Sequence, residues 1–150
     1  MNGNIKVVIG PPCAGKSTYV AETKALGDVV VDADAIAMAI GAGSPHSWQE
    51  PIRSLALKMR HTLIDRILSG VQANAWIIHT SPSRPLIERY QASGADLMML
   101  DPGIDVCMER AKKDNRPEGT DEVIRSWYKE PPDLSDMNVS KARNVVYLLR

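Results

Sequence analysis

The stretch that decides the fold is VVIGPPCAGKSTYV, residues 7–20. Three β-branched residues run into Gly10-Pro11-Pro12, then Cys13-Ala14, then Gly15-Lys16-Ser17-Thr18, after which helix formers resume. The order is strand, tight loop, helix. Gly10, four residues, Gly15, Lys16 and Ser17 fit the phosphate-binding spacing GxxxxGK[ST]. Glycines let such a loop curl so that successive N–H groups point at phosphate oxygens, and the following helix adds its positive end. The pattern predicts that Gly10, Pro11, Pro12, Cys13, Ala14, Gly15, Lys16, Ser17 and Thr18 cradle a nucleotide, with ATP as donor. Lys16 is expected to reach the β- and γ-phosphates and the Ser17 hydroxyl to hold Mg²⁺. Cys13 reads as a tolerated small loop residue rather than a reactive thiol.

Outward from this stretch, apolar runs alternate with amphipathic segments. The strand candidates are 5–9, 28–34, 75–80, 96–100 and 144–149. Helix formers follow from Lys16 to Leu26, and Ile52, Leu55, Ala56, Met59, Leu63 and Ile67 keep helical spacing. Further helices are expected from Arg84 to Gln91, around Ile104–Ala111, and over 120–130 with Thr120 as N-cap. Strands alternating with helices predict βαβ units and a mostly parallel five-stranded sheet, an α/β fold whose ligands lie at the carboxyl ends of the strands.

Composition narrows the class. The chain has 150 residues, room for one domain with a real core. Its 18 basic and 18 acidic residues cancel, so no global charge argues for nucleic-acid or membrane-surface binding. The two cysteines form no CxxC or Cys/His cluster, which argues against a zinc site or disulfide framework and fits a reducing cytoplasm. No apolar run reaches transmembrane length and no secretory leader is visible. No obligate protein partner is evident.

A phosphate loop alone leaves kinases, GTPase switches and ATP-driven motors open. No NKxD base-reading motif is present, and the third strand ends in His79-Thr80-Ser81 rather than in acidic residues. Small kinases remain. Asp32 and Asp34 close the second strand candidate two residues apart, so an extended backbone would turn both carboxylates to one side. One would hold Mg²⁺ and the other, Asp34, would accept the proton of an attacking hydroxyl. The alternative is that Asp34 only N-caps a helix. Between 108 and 128, Arg110, Lys112, Lys113 and Arg116 straddle a helix end and a Pro/Gly loop, as a lid carrying arginines over a triphosphate would.

The segments GPPCAGKST, VDAD and CMERAKKDNRPEGTDEVIRSWY together resemble the P-loop kinases, most of all the kinase domain of phage-type polynucleotide 5′-kinases and their small AAA-like relatives. The resemblance spans about residues 5 to 130. It implies a P-loop NTPase fold, three-layer α/β/α with a parallel five-stranded sheet and an arginine-bearing lid. It also implies that Asp34 matches the acid that activates the acceptor. Asp32 and Asp34 look equally like the DxD of small-metabolite kinases such as shikimate kinase. One position departs: the arginine that polynucleotide kinases carry three residues after the catalytic acid is Ala37 here. Arg53 and Arg60, seven apart on one helix face, and Arg84, after the third strand, are the candidates to hold the acceptor in its place. Each reads equally well as a surface arginine. His79 reads as a pocket or core histidine and Trp48 as the anchor of its own loop.

The resulting expectation is an ATP-dependent kinase of a nucleotide, nucleoside or nucleic-acid 5′-end. Lys16, Asp34, Arg110 and Arg116 would carry the catalysis, and Ser17 with Asp32 would hold the metal. A nucleoside monophosphate kinase or small-metabolite kinase is the alternative within the class. An ATP-binding accessory module with little turnover is the alternative outside it.

Overall fold

The computed structural model describes residues 3–142. Strand β1 (Ile5–Ile9) is followed by helix α1 (Lys16–Thr23), β2 (Val29–Val31), α2 (Ala33–Ala39) and α3 (Ile52–Leu68). Then come β3 (Ala75–His79), α4 (Arg84–Ala92), β4 (Asp96–Met99), α5 (Ile104–Lys113), α6 (Thr120–Lys129) and β5 (Val139–Lys141). The strands form one sheet in the order β2-β3-β1-β4-β5, every neighbouring pair parallel.

Alternation along the central strands builds the layers. Val7 and Ile9 of β1 and Ala75 and Ile77 of β3 face one side, where Ile64 and Ile67 of α3 and Ile87 and Tyr90 of α4 cover them. Val8, Trp76 and Ile78 face the other side against Val20 of α1. Central strands buried on both faces need the unbroken apolar runs that the sequence provides. A third cluster joins Cys13 of the loop to Cys107 of α5 and Ile124 of α6. The loop after β1 is therefore backed by the segment expected to be a lid.

Several boundaries differ from the sequence reading, each for a local reason. Helix α1 stops at Thr23, and Leu26 is fully exposed beyond it. Strand β2 ends at Val31 because Asp32 caps α2, with its Oδ1 accepting from the Asp34 amide at 3.0 Å. The cap of α6 is Gly119, at φ 90°, rather than Thr120, whose hydroxyl donates instead to the Pro117 carbonyl at 2.7 Å. The strand expected at 144–149 lies outside the described residues, and the fifth strand among the described residues is Val139–Lys141. Among the described residues no helix is long and apolar enough to cross a membrane.

Candidate active site

The loop from Gly10 to Ser17 runs between the carboxyl end of β1 and the first turn of α1. Gly10 has no room for a side chain: a Cβ there would lie 2.2 Å from the Leu100 carbonyl oxygen at the end of β4. Cys13 and Gly15 take left-handed backbone angles, φ 65° and 91°, which curl the loop. Helix α1 then starts without a side-chain cap, so no side chain occupies the place where its N-terminus would meet an anion. The Lys16 ammonium donates to the Gly10 and Pro11 carbonyls, each at 2.8 Å. Burial, with the side chain almost wholly out of solvent, pulls its pKa down to about 8. A phosphate brought to this lysine would reverse that penalty by supplying negative charge.

Asp32 and Asp34 do reach the same cavity, but not by strand alternation. Asp32 is the cap of α2 and Asp34 stands in its first turn. The two Asp32 oxygens have separate tasks. Oδ1 holds the Asp34 amide, and Oδ2 accepts the Ser17 hydroxyl at 2.7 Å. The helix-cap role considered for Asp34 thus belongs to Asp32. Burial and the neighbouring Asp32 charge push the Asp34 carboxyl upward, while His46 and Arg116 oppose the shift. His46 Nδ1 is 3.4 Å from Asp34 Oδ2. Sequence spacing did not single out His46, because only the fold of the 41–51 loop brings it to α2.

These residues line a cavity of about 500 Å³ together with Arg60 of α3 and Arg116, which follows α5. Asn115 takes a left-handed φ of 49° and the Arg116 amide bonds back to the Ala111 carbonyl at 3.0 Å, a helix-ending turn that redirects the chain toward the cavity. The Nε atoms of Arg60 and Arg116 are buried without a hydrogen-bond partner. Unpaired buried donors on two cations in one cavity favour an anion there. Arg110 does something else: its guanidinium donates to the Cys13 and Ala14 carbonyls at 3.2 and 3.0 Å, clamping the loop from behind. Arg53 lines an adjoining cavity of about 410 Å³ that shares Asp34, His46 and Trp48. Arg84 is not in the wall of either cavity. It bonds Glu88 and the carbonyls of Asp133 and Ser135, tying α4 to the loop after α6. The Trp48 indole donates to the Pro45 carbonyl at 2.7 Å, within its own loop. His79 is buried at the end of β3 against the Tyr90 hydroxyl, 3.3 Å away.

A β-strand, a curled glycine loop and a helix bearing Lys-Ser, set at the carboxyl edge of a parallel sheet, define the phosphate-binding class of α/β folds. Known structures place it more narrowly. The chain superposes on shikimate kinase from Acinetobacter baumannii with a TM-score of 0.63 at 20% identity, over 95% of this chain and 84% of that one. A gluconokinase from Sinorhizobium meliloti 1021 matches with a TM-score of 0.61 at 16% identity, over 99% and 88%. A chain of the Pnkp1/Rnl/Hen1 RNA repair complex matches with a TM-score of 0.57 at 16% identity, over 86% of this chain but 46% of that one. This is the P-loop kinase fold, as the sequence resemblance implied. No family model matches the chain, and no curated protein matches it in sequence.

Proposed function

We propose that the protein is an ATP-dependent phosphotransferase that moves the γ-phosphoryl group to a hydroxyl of an anionic acceptor. The observation that carries this reading is the single cavity in which Lys16, the Ser17–Asp32 pair, Asp34 and two unpartnered arginines converge. The loop amides and Lys16 bind the β- and γ-phosphates of ATP. Ser17 and Asp32 offer hydroxyl and carboxylate oxygens, the hard donors that Mg²⁺ prefers. Among the described residues no group of three or more His, Cys, Asp or Glu could hold a metal by itself. Mg²⁺ takes few protein ligands and completes its shell with phosphate and water. When bound, Mg²⁺ neutralises charge on the phosphate oxygens.

Asp34 accepts the acceptor hydroxyl's proton while that oxygen forms its bond to the γ-phosphorus and the bond to the leaving ADP oxygen breaks. Its raised pKa, from burial beside Asp32, makes it a better base than an exposed aspartate. Arg116 stabilises the charge of the transferring group. Arg60 takes the acceptor's own anionic group. At the position where the resemblance implies an acceptor arginine stands Ala37, fully buried in a helix that packs against α3. The similar structures, a shikimate kinase, a gluconokinase and a chain of an RNA repair complex, suggest a hydroxy acid or a nucleic-acid 5′-end as acceptor.

The test is transfer of label from [γ-³²P]ATP to a panel of hydroxy acids, nucleosides, nucleotides and 5′-hydroxyl DNA and RNA. One class is expected to be labelled, and Lys16→Ala is expected to lower the rate about 10²-fold or more without unfolding the chain. ATP binding with no labelled product from any class would instead mark a nucleotide-binding accessory module.

A further inference from the structure

The loop between α2 and α3 is organised around one histidine. Ser44 pairs with Ser47 across the turn, the Trp48 indole closes onto the Pro45 carbonyl, and the His46 amide donates to Ser44 Oγ at 3.4 Å. These contacts order the backbone of the loop whose His46 ring stands 3.4 Å from Asp34 Oδ2. An ionised carboxylate can only accept, so Nδ1 is the ring nitrogen that carries the proton in this pair. The pair is at ion-pair distance in the ligand-free site, and catalytic contacts that are long without substrate can tighten when it binds.

The other charged groups around Asp34 are Asp32 across the cap, Lys16 of α1, Arg60 of α3 and Arg116 after α5, with Arg53 in the adjoining cavity. Among the described residues only His46 comes within ion-pair distance of the Asp34 carboxylate. Without it, the carboxylate would keep only its own rotamer preference and the more distant attraction of Arg116, beside a repelling Asp32.

Resting on the reading of Asp34 as the base, we infer that His46 is a positioning residue: its Nδ1–H holds Asp34 Oδ2 and thereby aims Oδ1 at the acceptor hydroxyl. The ring does not touch the reacting atoms. It fixes the base in the geometry that proton removal needs, where a misplacement of about 1 Å lowers rate by about 10²-fold. The same ring lines both cavities.

The experiment compares His46→Ala, His46→Asn and His46→Gln, followed as label release from [γ-³²P]ATP to water and transfer to a 5′-hydroxyl oligonucleotide. Asparagine places an N–H where Nδ1 stands, and glutamine places one near Nε2. The alanine and glutamine variants should lose about 10- to 100-fold in kcat with KM for ATP unchanged, and asparagine should recover most of it. In imidazole ¹⁵N spectra of the protein alone, Asp34→Asn should move the His46 Nδ1 resonance. A wild-type rate in His46→Ala while Asp34→Asn is inactive overturns the inference and spares the base. Equal losses in alanine and asparagine variants overturn it in favour of a loop-packing role. A wild-type rate in Asp34→Asn overturns the base reading itself. If no turnover is seen in the wild type, an Nδ1 resonance unmoved by Asp34→Asn overturns the inference.

Discussion

Acidification should destabilise this protein through one residue buried at the end of β3. His79 is 8% exposed, and burial, followed by the charges of Arg60 and Lys16, lowers its pKa to about 4. In the unfolded chain the same ring titrates near its ordinary 6.5. Between those values the unfolded state binds a proton that the folded state refuses, so stability is complete above pH 6.5 and falls as pH drops toward 4. The difference corresponds to about 3 kcal/mol once pH is below both values, and to about 2 kcal/mol already at pH 5. Tyr90 reinforces the neutral ring: burial raises its own pKa, so its phenol stays protonated and able to donate to Nδ1. Asp34 acts in the opposite direction, because a carboxyl with a raised pKa takes up its proton first in the folded state. A variant that removes only the histidine separates the two. His79→Asn keeps a polar atom near Nδ1 for Tyr90 and cannot titrate. Urea unfolding at pH 7 and pH 5 should show the wild type losing about 2 kcal/mol more than this variant. Equal losses in the two proteins would refute the assignment of His79 as buried and neutral.

Three further outcomes follow from the site geometry. Gly10→Ala should abolish ATP binding, measured by calorimetry, because its Cβ would meet backbone rather than a side chain that can turn away, 2.2 Å from the Leu100 oxygen. Arg110→Ala should raise KM for ATP about tenfold, since it releases two loop carbonyls rather than a contact made only at the transition state. Arg84→Ala should leave phosphoryl transfer unchanged and lower stability by about 1 kcal/mol or less, read as a small fall in Tm, because its partners lie on an exposed surface.

The sheet was legible because its evidence is local. The β-branched run before Gly10 and the spacing up to Ser17 specify strand, loop and helix within a dozen residues. Asp32 and Asp34 were legible as a pair, yet the strand-alternation argument for them was not the operative one. The backbone leaves the extended state after residue 32 because the Asp32 carboxylate satisfies the amide of residue 34, a competition that propensity alone does not resolve. Helical spacing put Arg53 and Arg60 on one face but said nothing of what that face meets. The fold sets Arg60 in the main cavity, Arg53 beside it, and Arg84 elsewhere. Arg110 and Arg116 flank one turn and looked equivalent, whereas the left-handed Asn115 separates their directions. His46 was invisible because its partner lies twelve positions away across a loop with no periodicity.

The division of Asp32 between two jobs ties maturation of the chain to its cargo. One oxygen secures the start of α2 and the other secures Ser17 at the start of α1. A chain in which α2 has not yet wound therefore also lacks the oxygen corner proposed for the metal, so an immature molecule would not hold a metal–nucleotide complex productively. Conversely, a ligand that engages this corner only in the finished fold stabilises both helices in proportion to the logarithm of its concentration. Cellular ATP and Mg²⁺ would then act as folding ligands, withdrawing finished molecules from the pool exposed to proteolysis, and an Asp32 variant would be depleted in the cell before its catalytic defect could be measured.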